Sequence, residues 1–219
     1  MTILVVIEEK NIHLSSEEQF LASAANSREK LSNQFQSQIN SKSYQYRHKA
    51  SLQIHEDTLK RMVVKYSEQL VYRPLEEIQY WFAYSSGAFI EPGYPPLFYS
   101  RDENKKVSPN KSAVAAIGEG IAGFLAQRLY GCRKLARPNH DYPDIVMEGS
   151  GKTYLVESKA TLASSSSDIK KVVADELIRM AAYTASCTQL DPRPVIGMLV
   201  GTVLESEAHY QCYITKVTV

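Results

Sequence analysis

Two short stretches carry residues whose types and spacing suit catalysis: Pro143-Asp144 and Glu157-Ser158-Lys159. Asp144 opens the apolar run DIVM. Glu157 and Lys159 stand two apart in TYLVESKA, so in an extended chain they project from one face. A tight turn at Glu148-Gly149-Ser150-Gly151 makes the two runs neighbouring strands, about 4.8 Å apart, and brings Asp144 toward Glu157. Two bare carboxylates roughly 4 Å apart repel by about 4 kcal/mol at an effective dielectric near ~20. A divalent cation removes that penalty, and Mg²⁺ takes oxygen ligands at about 2.0–2.1 Å while keeping water positions open. A lysine beside it can orient or deprotonate an attacking water, or stabilise charge developing on phosphorus. The same residues also suit a cross-strand charge cluster on a solvated face, worth about 0–1 kcal/mol. The apolar runs they interrupt, and the turn joining those runs, favour a site.

Two glycine motifs nearby invite other readings. Gly149-Ser150-Gly151-Lys152-Thr153 ends like a phosphate-binding loop, but the first glycine of that motif falls at Val146, and TYLV continues as strand rather than helix. It reads as the hairpin turn. Gly118-Glu119-Gly120-Ile121-Ala122-Gly123 has dinucleotide-loop spacing, yet an alanine-rich helical stretch precedes it and Glu119 puts a carboxylate where a pyrophosphate would sit. Its glycines are expected to let a helix pack closely on the sheet.

Basic residues flank the acids. Arg133, Lys134, Arg137 and His140 precede Asp144 and suit backbone contact with a nucleic acid, or a solvated face. His140 is expected as a substrate contact or surface residue rather than a ligand, since hard Mg²⁺ prefers oxygen. Lys170 and Lys171, at the start of a helix after a serine run, suit phosphate contact or a solvated helix start. Tyr44, Arg47, His48 and Lys49 form a further basic, aromatic patch.

The elements that must position these groups can be read along the 219 residues. TILVVI is a strand. Ser15 to Glu18 has the form of a capping box, leading a helix with Leu31, Phe35 and Ile39 on one stripe. A second helix is expected from about Lys49 to Tyr72 and a third from Pro74 to Gly87. Residues 88–110 read as a loop, with a boundary near Ser108. The division is then 1–107, a strand plus helical region for substrate choice or dimer formation, and 108–219, a mixed α/β core. In the core a helix ends at Gly131, strands follow at KLARP, DIVM and TYLVESKA, then a helix over about Asp168–Cys187 and a final antiparallel strand pair.

A formal net charge of +1 means that phosphate-binding groups, if present, are gathered locally. No apolar run reaches the ~20 residues needed to cross a bilayer, so no membrane association is expected. The three separated cysteines form no zinc spacing and suit free thiols in the cytoplasm.

IGEGIAGFLAQRLYG, PDIVMEG and TYLVESKA, in that order, resemble the PD-(D/E)xK nuclease superfamily, over roughly residues 111–219. The resemblance implies a restriction-endonuclease-like core: a mixed central sheet flanked by helices in the order α-β-β-β-α-β-β, here with an N-terminal, mainly helical region. It implies Asp144 and Glu157 as metal ligands, Lys159 as the catalytic lysine, Ser158 as a ligand through its backbone carbonyl, and Glu119 as a further ligand or holder of a water. The implied activity is DNA phosphodiester hydrolysis with Mg²⁺, for which Mn²⁺ can substitute. DNA is expected over RNA because the family mostly cuts DNA, and the size suits a restriction-type homodimer. The alternative is a protein of the same fold that binds nucleic acid or a partner without cutting.

Overall fold

Strand β1, Thr2–His13, alternates buried and open positions, with Ile3, Val5 and Ile7 on one face and Ile12 on the other. This is the period of a strand inserted between two neighbours. Those neighbours come from opposite ends of the chain: β2, Arg47–His55, antiparallel on one side, and β7, His209–Thr218, parallel on the other. The structure is a computed structural model that describes residues 1–25, 28–85, 109–138, 142–162 and 166–219.

The remaining strands are β3 (Arg133–Ala136), β4 (Ile145–Gly149), β5 (Lys152–Leu162) and β6 (Val195–Ser206). All seven lie in one mixed sheet, in the order β2-β1-β7-β6-β5-β4-β3. The helices are α1 (Ser16–Ala25), α2 (Glu29–Ser41), α3 (Glu56–Tyr66), α4 (Pro74–Ser85), α5 (Lys111–Tyr130) and α6 (Ser166–Leu190). One sheet face packs on α3, α4 and α5 around Ile117, Ile121, Leu125, Val156 and Ile214. The other packs on α1, α2 and α6 around Phe35, Leu155, Leu177, Met180 and Leu199. The molecule is therefore α/β, with helices on both sides of the sheet.

Several local expectations are met by specific contacts. Ser15 and Glu18 form the capping box: the Ser15 N–H donates to Glu18 Oε2 at 2.8 Å, and the Glu18 N–H to Ser15 Oγ at 3.4 Å. Gly131 closes α5 with φ of 64°. Ser150 and Gly151 form a two-residue turn with φ of 50° and 71°, and Gly149 pairs with Lys152. Positive φ at both turn positions is the geometry that matches strand twist.

The helix expected from Lys49 to Tyr72 is corrected. Its first part is strand β2, where Ala50, Leu52 and Ile54 alternate with polar residues and pair with β1. α3 starts after His55, whose side chain caps it by accepting from the Asp57 N–H, and ends at Tyr66. Leu70, inside the expected helix, lies beyond α3 and is exposed. The single helix expected after the capping box is also two, α1 and α2. The division at 107/108 is crossed by the sheet, since β1 and β2 extend the strands that follow it and α3 packs on α5. Gly87, the expected end of the third helix, and the expected loop up to residue 108 lie outside the described residues.

Candidate functional site

The hairpin turn fixes how Asp144 meets Glu157. Ile145 on β4 faces Val156 on β5, so the preceding residue, Asp144, comes opposite Glu157. The contacts follow that register. The Asp144 N–H donates to Glu157 Oε2 at 3.1 Å, and the Ser158 N–H donates to Asp144 Oδ2 at 2.7 Å. Lys159, two residues along and on the same face as Glu157, donates to Glu157 Oε1 at 2.9 Å. β5 is buried from Thr153 through Glu157 and opens from Ser158 onward. Glu157, only 3 % exposed, is the last residue of the buried stretch, and Lys159 stands at the rim.

Two further groups complete this corner. Glu176 of α6 accepts from Lys159 at 3.3 Å, so the ammonium bridges two carboxylates. Tyr142, 2 % exposed, packs its ring against Tyr183 and beneath the Arg179 guanidinium, 4.2 Å from the ring centroid. Its hydroxyl is buried and accepts or donates no hydrogen bond among the described residues. Neither residue was marked by the sequence. Glu176 flanks the stripe of Val173, Leu177 and Met180 that faces the sheet, a position legible from helical periodicity, but not which strand it would meet.

The electrostatics oppose two ionised acids. Burial, then the Glu157 charge, pushes Asp144 up to about 7, against the lowering by the Ser158 N–H. Burial also raises Glu157, against the pull of Lys159. For Lys159 burial acts downward, but the hydrogen bonds and charges of Glu157 and Glu176 outweigh it and hold the ammonium cationic.

Glu119 is 5 % exposed on α5 and its charge reaches Asp144, raising it further. Its oxygens, however, are engaged by the segment that follows α3. Oε2 accepts from the Glu68 N–H at 2.8 Å and Oε1 from Gln69 Nε2 at 3.1 Å. Arg137 joins the same network, contacting Glu119 at 3.5 Å, Glu68 at 2.8 Å and the Tyr66 carbonyl. Of the glycines around Glu119, Gly118 meets the sheet as expected, whereas Gly120 and Gly123 meet helix α3 instead. A Cβ on Gly118 would lie 2.6 Å from Ala160 Cβ, and Gly120 and Gly123 press on Val63 and Tyr66 of α3.

The basic stretch before Asp144 is spent on protein partners. Arg133 pairs with Glu148, Lys134 Nζ donates to the Lys65 carbonyl at 3.0 Å, and Arg137 is held as above. His140 lies outside the described residues. Lys170 pairs loosely with Glu8 at 3.8 Å, and Lys171 is exposed.

The donor set fits a hard divalent cation in kind. Asp144 and Glu157 are acids in a site that penalises their charge, and Asp144 Oδ1 accepts no hydrogen bond among the described residues. Among the described residues no three Asp, Glu, His or Cys side chains gather closely enough to hold a metal by themselves. The two carboxylates would need a backbone carbonyl such as that of Ser158, and water, to complete an octahedron. No described helix is long and apolar enough to cross a membrane. Comparison with protein-family models, with curated proteins and with solved structures finds no match.

Proposed function

We propose that the chain is a divalent-metal-dependent nuclease of the PD-(D/E)xK type that hydrolyses DNA phosphodiesters. The observation that carries this reading is the meeting of Asp144, Glu157 and Lys159 at the end of one β-hairpin, two acids and an amine where the sheet turns from buried to open. The element order α5-β3-β4-β5-α6-β6-β7 supports it, being the order that the resemblance implies.

In this reading Asp144, Glu157 and the Ser158 carbonyl would hold Mg²⁺ or Mn²⁺, which would supply charge neutralisation and water activation. The chain's own groups do the rest. Lys159, kept cationic by Glu157 and Glu176, stabilises negative charge on the phosphorus rather than removing a proton. The Asp144–Ser158 hydrogen bond fixes the carboxylate on its strand, so the donor set is preorganised. A restriction-type homodimer would place two such sites on opposite DNA strands.

A second reading, a protein that binds nucleic acid or a partner without cutting, is favoured by Glu119. The acid that would be the third ligand is occupied by Glu68, Gln69 and Arg137. Incubation of linear and supercoiled DNA, and of RNA, with Mg²⁺ or Mn²⁺ separates the two. Fragments that vanish with chelator support the nuclease. Intact substrates at high protein concentration support the binder.

A further inference from the structure

Away from the acids, two lysines converge on one aromatic ring. Lys10 Nζ lies 4.6 Å from the centroid of Tyr46, and Lys170 Nζ lies 5.4 Å from the same centroid and 4.3 Å from that of Tyr213. Tyr46 is fixed by a 2.7 Å hydrogen bond between its hydroxyl and Thr215 Oγ1, and by an edge-on contact with Tyr213. Among the described residues the one carboxylate within ion-pair reach of Lys170 is the distant Glu8, and none lies within reach of Lys10. Burial, then the nearby Lys170, depresses the Lys10 ammonium below its ordinary value. Two half-buried cations sharing a ring repel each other, and an anion between them relieves that repulsion.

The sheet relates this cluster to the acids. Glu157, Leu199, Thr215 and Lys10 form one row across β5, β6, β7 and β1, and Lys159, Gly201, Tyr213 and Glu8 form the next. Lys10 therefore lies on the same sheet face as Glu157, three strands away, about 14 Å. α6 crosses between them over β6, where Ile169 and Val173 pack on Gly201, with Glu176 reaching β5 on one side and Lys170 reaching β7 on the other.

We propose that Lys10 and Lys170, set on the Tyr46–Tyr213 pair, form a binding site for a phosphoryl oxyanion. In the working protein it is filled by a backbone phosphate of the nucleic acid strand whose cleaved bond lies at Asp144, Glu157 and Lys159, so the source of the phosphate rests on the nuclease reading. A phosphate rather than a base is the ligand, because Tyr213 is buried and lysine ammonium groups already stand over the tyrosine rings on which a base would stack. Lysine suits this task as a compact point charge. Arg47 and Lys171, next in sequence to Tyr46 and Lys170, are exposed and add positive charge around the site.

The test is fluorescence anisotropy of labelled single-stranded and duplex DNA in chelator, which prevents cutting, across a salt series. Wild type is compared with Lys10→Gln, Lys170→Gln and Lys10→Arg, with thermal unfolding in inorganic phosphate as a second arm. Each glutamine variant is expected to weaken binding about 3- to 10-fold and to lower the salt slope by about one, while Lys10→Arg retains both. The arginine variant separates lost charge from lost packing. If wild type binds no DNA but phosphate raises its melting temperature in a Lys10- and Lys170-dependent way, the anion site stands and the nucleic-acid source falls with the nuclease reading. DNA affinity, salt slope and phosphate shift all unchanged in the glutamine variants, or no binding of either ligand by wild type, overturns the proposal.

Discussion

Asp144 and Glu157 are tied to each other through the main chain. The Asp144 N–H donates to the Glu157 carboxylate at 3.1 Å, and the Asp144 carboxylate accepts from the N–H of Ser158, the residue after Glu157, at 2.7 Å. This reciprocal clamp spans the open end of the β4–β5 hairpin. It holds two acids together where burial disfavours the charge of both, and the behaviour of the protein with pH, with metal and on mutation follows from that conflict.

The first consequence is a pH dependence of stability. Asp144 is raised from 3.8 to about 7 on folding. The folded state thus binds more protons than the unfolded state between about pH 4 and pH 7, and stability falls as pH rises through that window. The loss is complete above about pH 7 and amounts to at most about 4 kcal/mol. Metal-free wild type should melt progressively lower from pH 5 to pH 8 relative to Asp144→Asn, and Mg²⁺ or Mn²⁺ should restore part of the difference. Parallel melting curves for the two proteins across this range would contradict the conflict between the acids.

Glu119 should behave first as a structural residue. Glu119→Ala strips partners from the Glu68 N–H, Gln69 and Arg137, and should destabilise the fold by about 1–3 kcal/mol. Urea unfolding measures this. An unchanged midpoint would mean that the network around the α3 end contributes nothing.

Gly118→Ala should push α5 off β5 beside Ser158, because the added Cβ meets Ala160 Cβ at 2.6 Å and Ser158 Oγ at 3.1 Å. Overpacking of this kind destabilises by about 1–3 kcal/mol. The same substitution at the exposed Gly131 or Gly151 would test conformation rather than space, since nothing lies within 4 Å there. A Gly118→Ala protein as stable as wild type would show that the helix can retreat freely.

Tyr142→Phe removes a buried hydroxyl that has no partner among the described residues. The metal-free variant should be as stable as wild type or more stable, by up to about 1–3 kcal/mol, since an unsatisfied polar group is lost while the ring contacts with Tyr183 and Arg179 remain. A lower melting temperature would show that the hydroxyl is satisfied in solution.

The candidate site was legible because its parts are close in sequence. One two-residue turn sets the register of β4 on β5, and register alone brings Asp144 opposite Glu157. What depends on distant pairing was not. β1 sits between β2 and β7, and no local pattern says that residues near the two ends of the chain share a ladder. The helical spacing of Leu59, Val63 and Tyr66 belongs to α3 alone; over β2, which the expected helix included, Ala50, Leu52 and Ile54 keep period two. The charges of Arg133, Lys134 and Arg137 were visible as a basic run, but their acceptors, Glu148, the Lys65 carbonyl and Glu68, lie on other elements. Glu176 and Tyr142 entered for the same reason in reverse: tertiary packing, not spacing, brings them to the acids.

Nicking of supercoiled plasmid by wild type and Lys159→Ala, at matched folded concentration with Mn²⁺, tests the central claim most directly. The account predicts chelator-sensitive cleavage by wild type and a loss of at least about 100-fold in the variant, with the Asp144–Glu157 hairpin still folded. Equal cleavage rates for the two proteins, or no cleavage by wild type under any divalent ion, would contradict it.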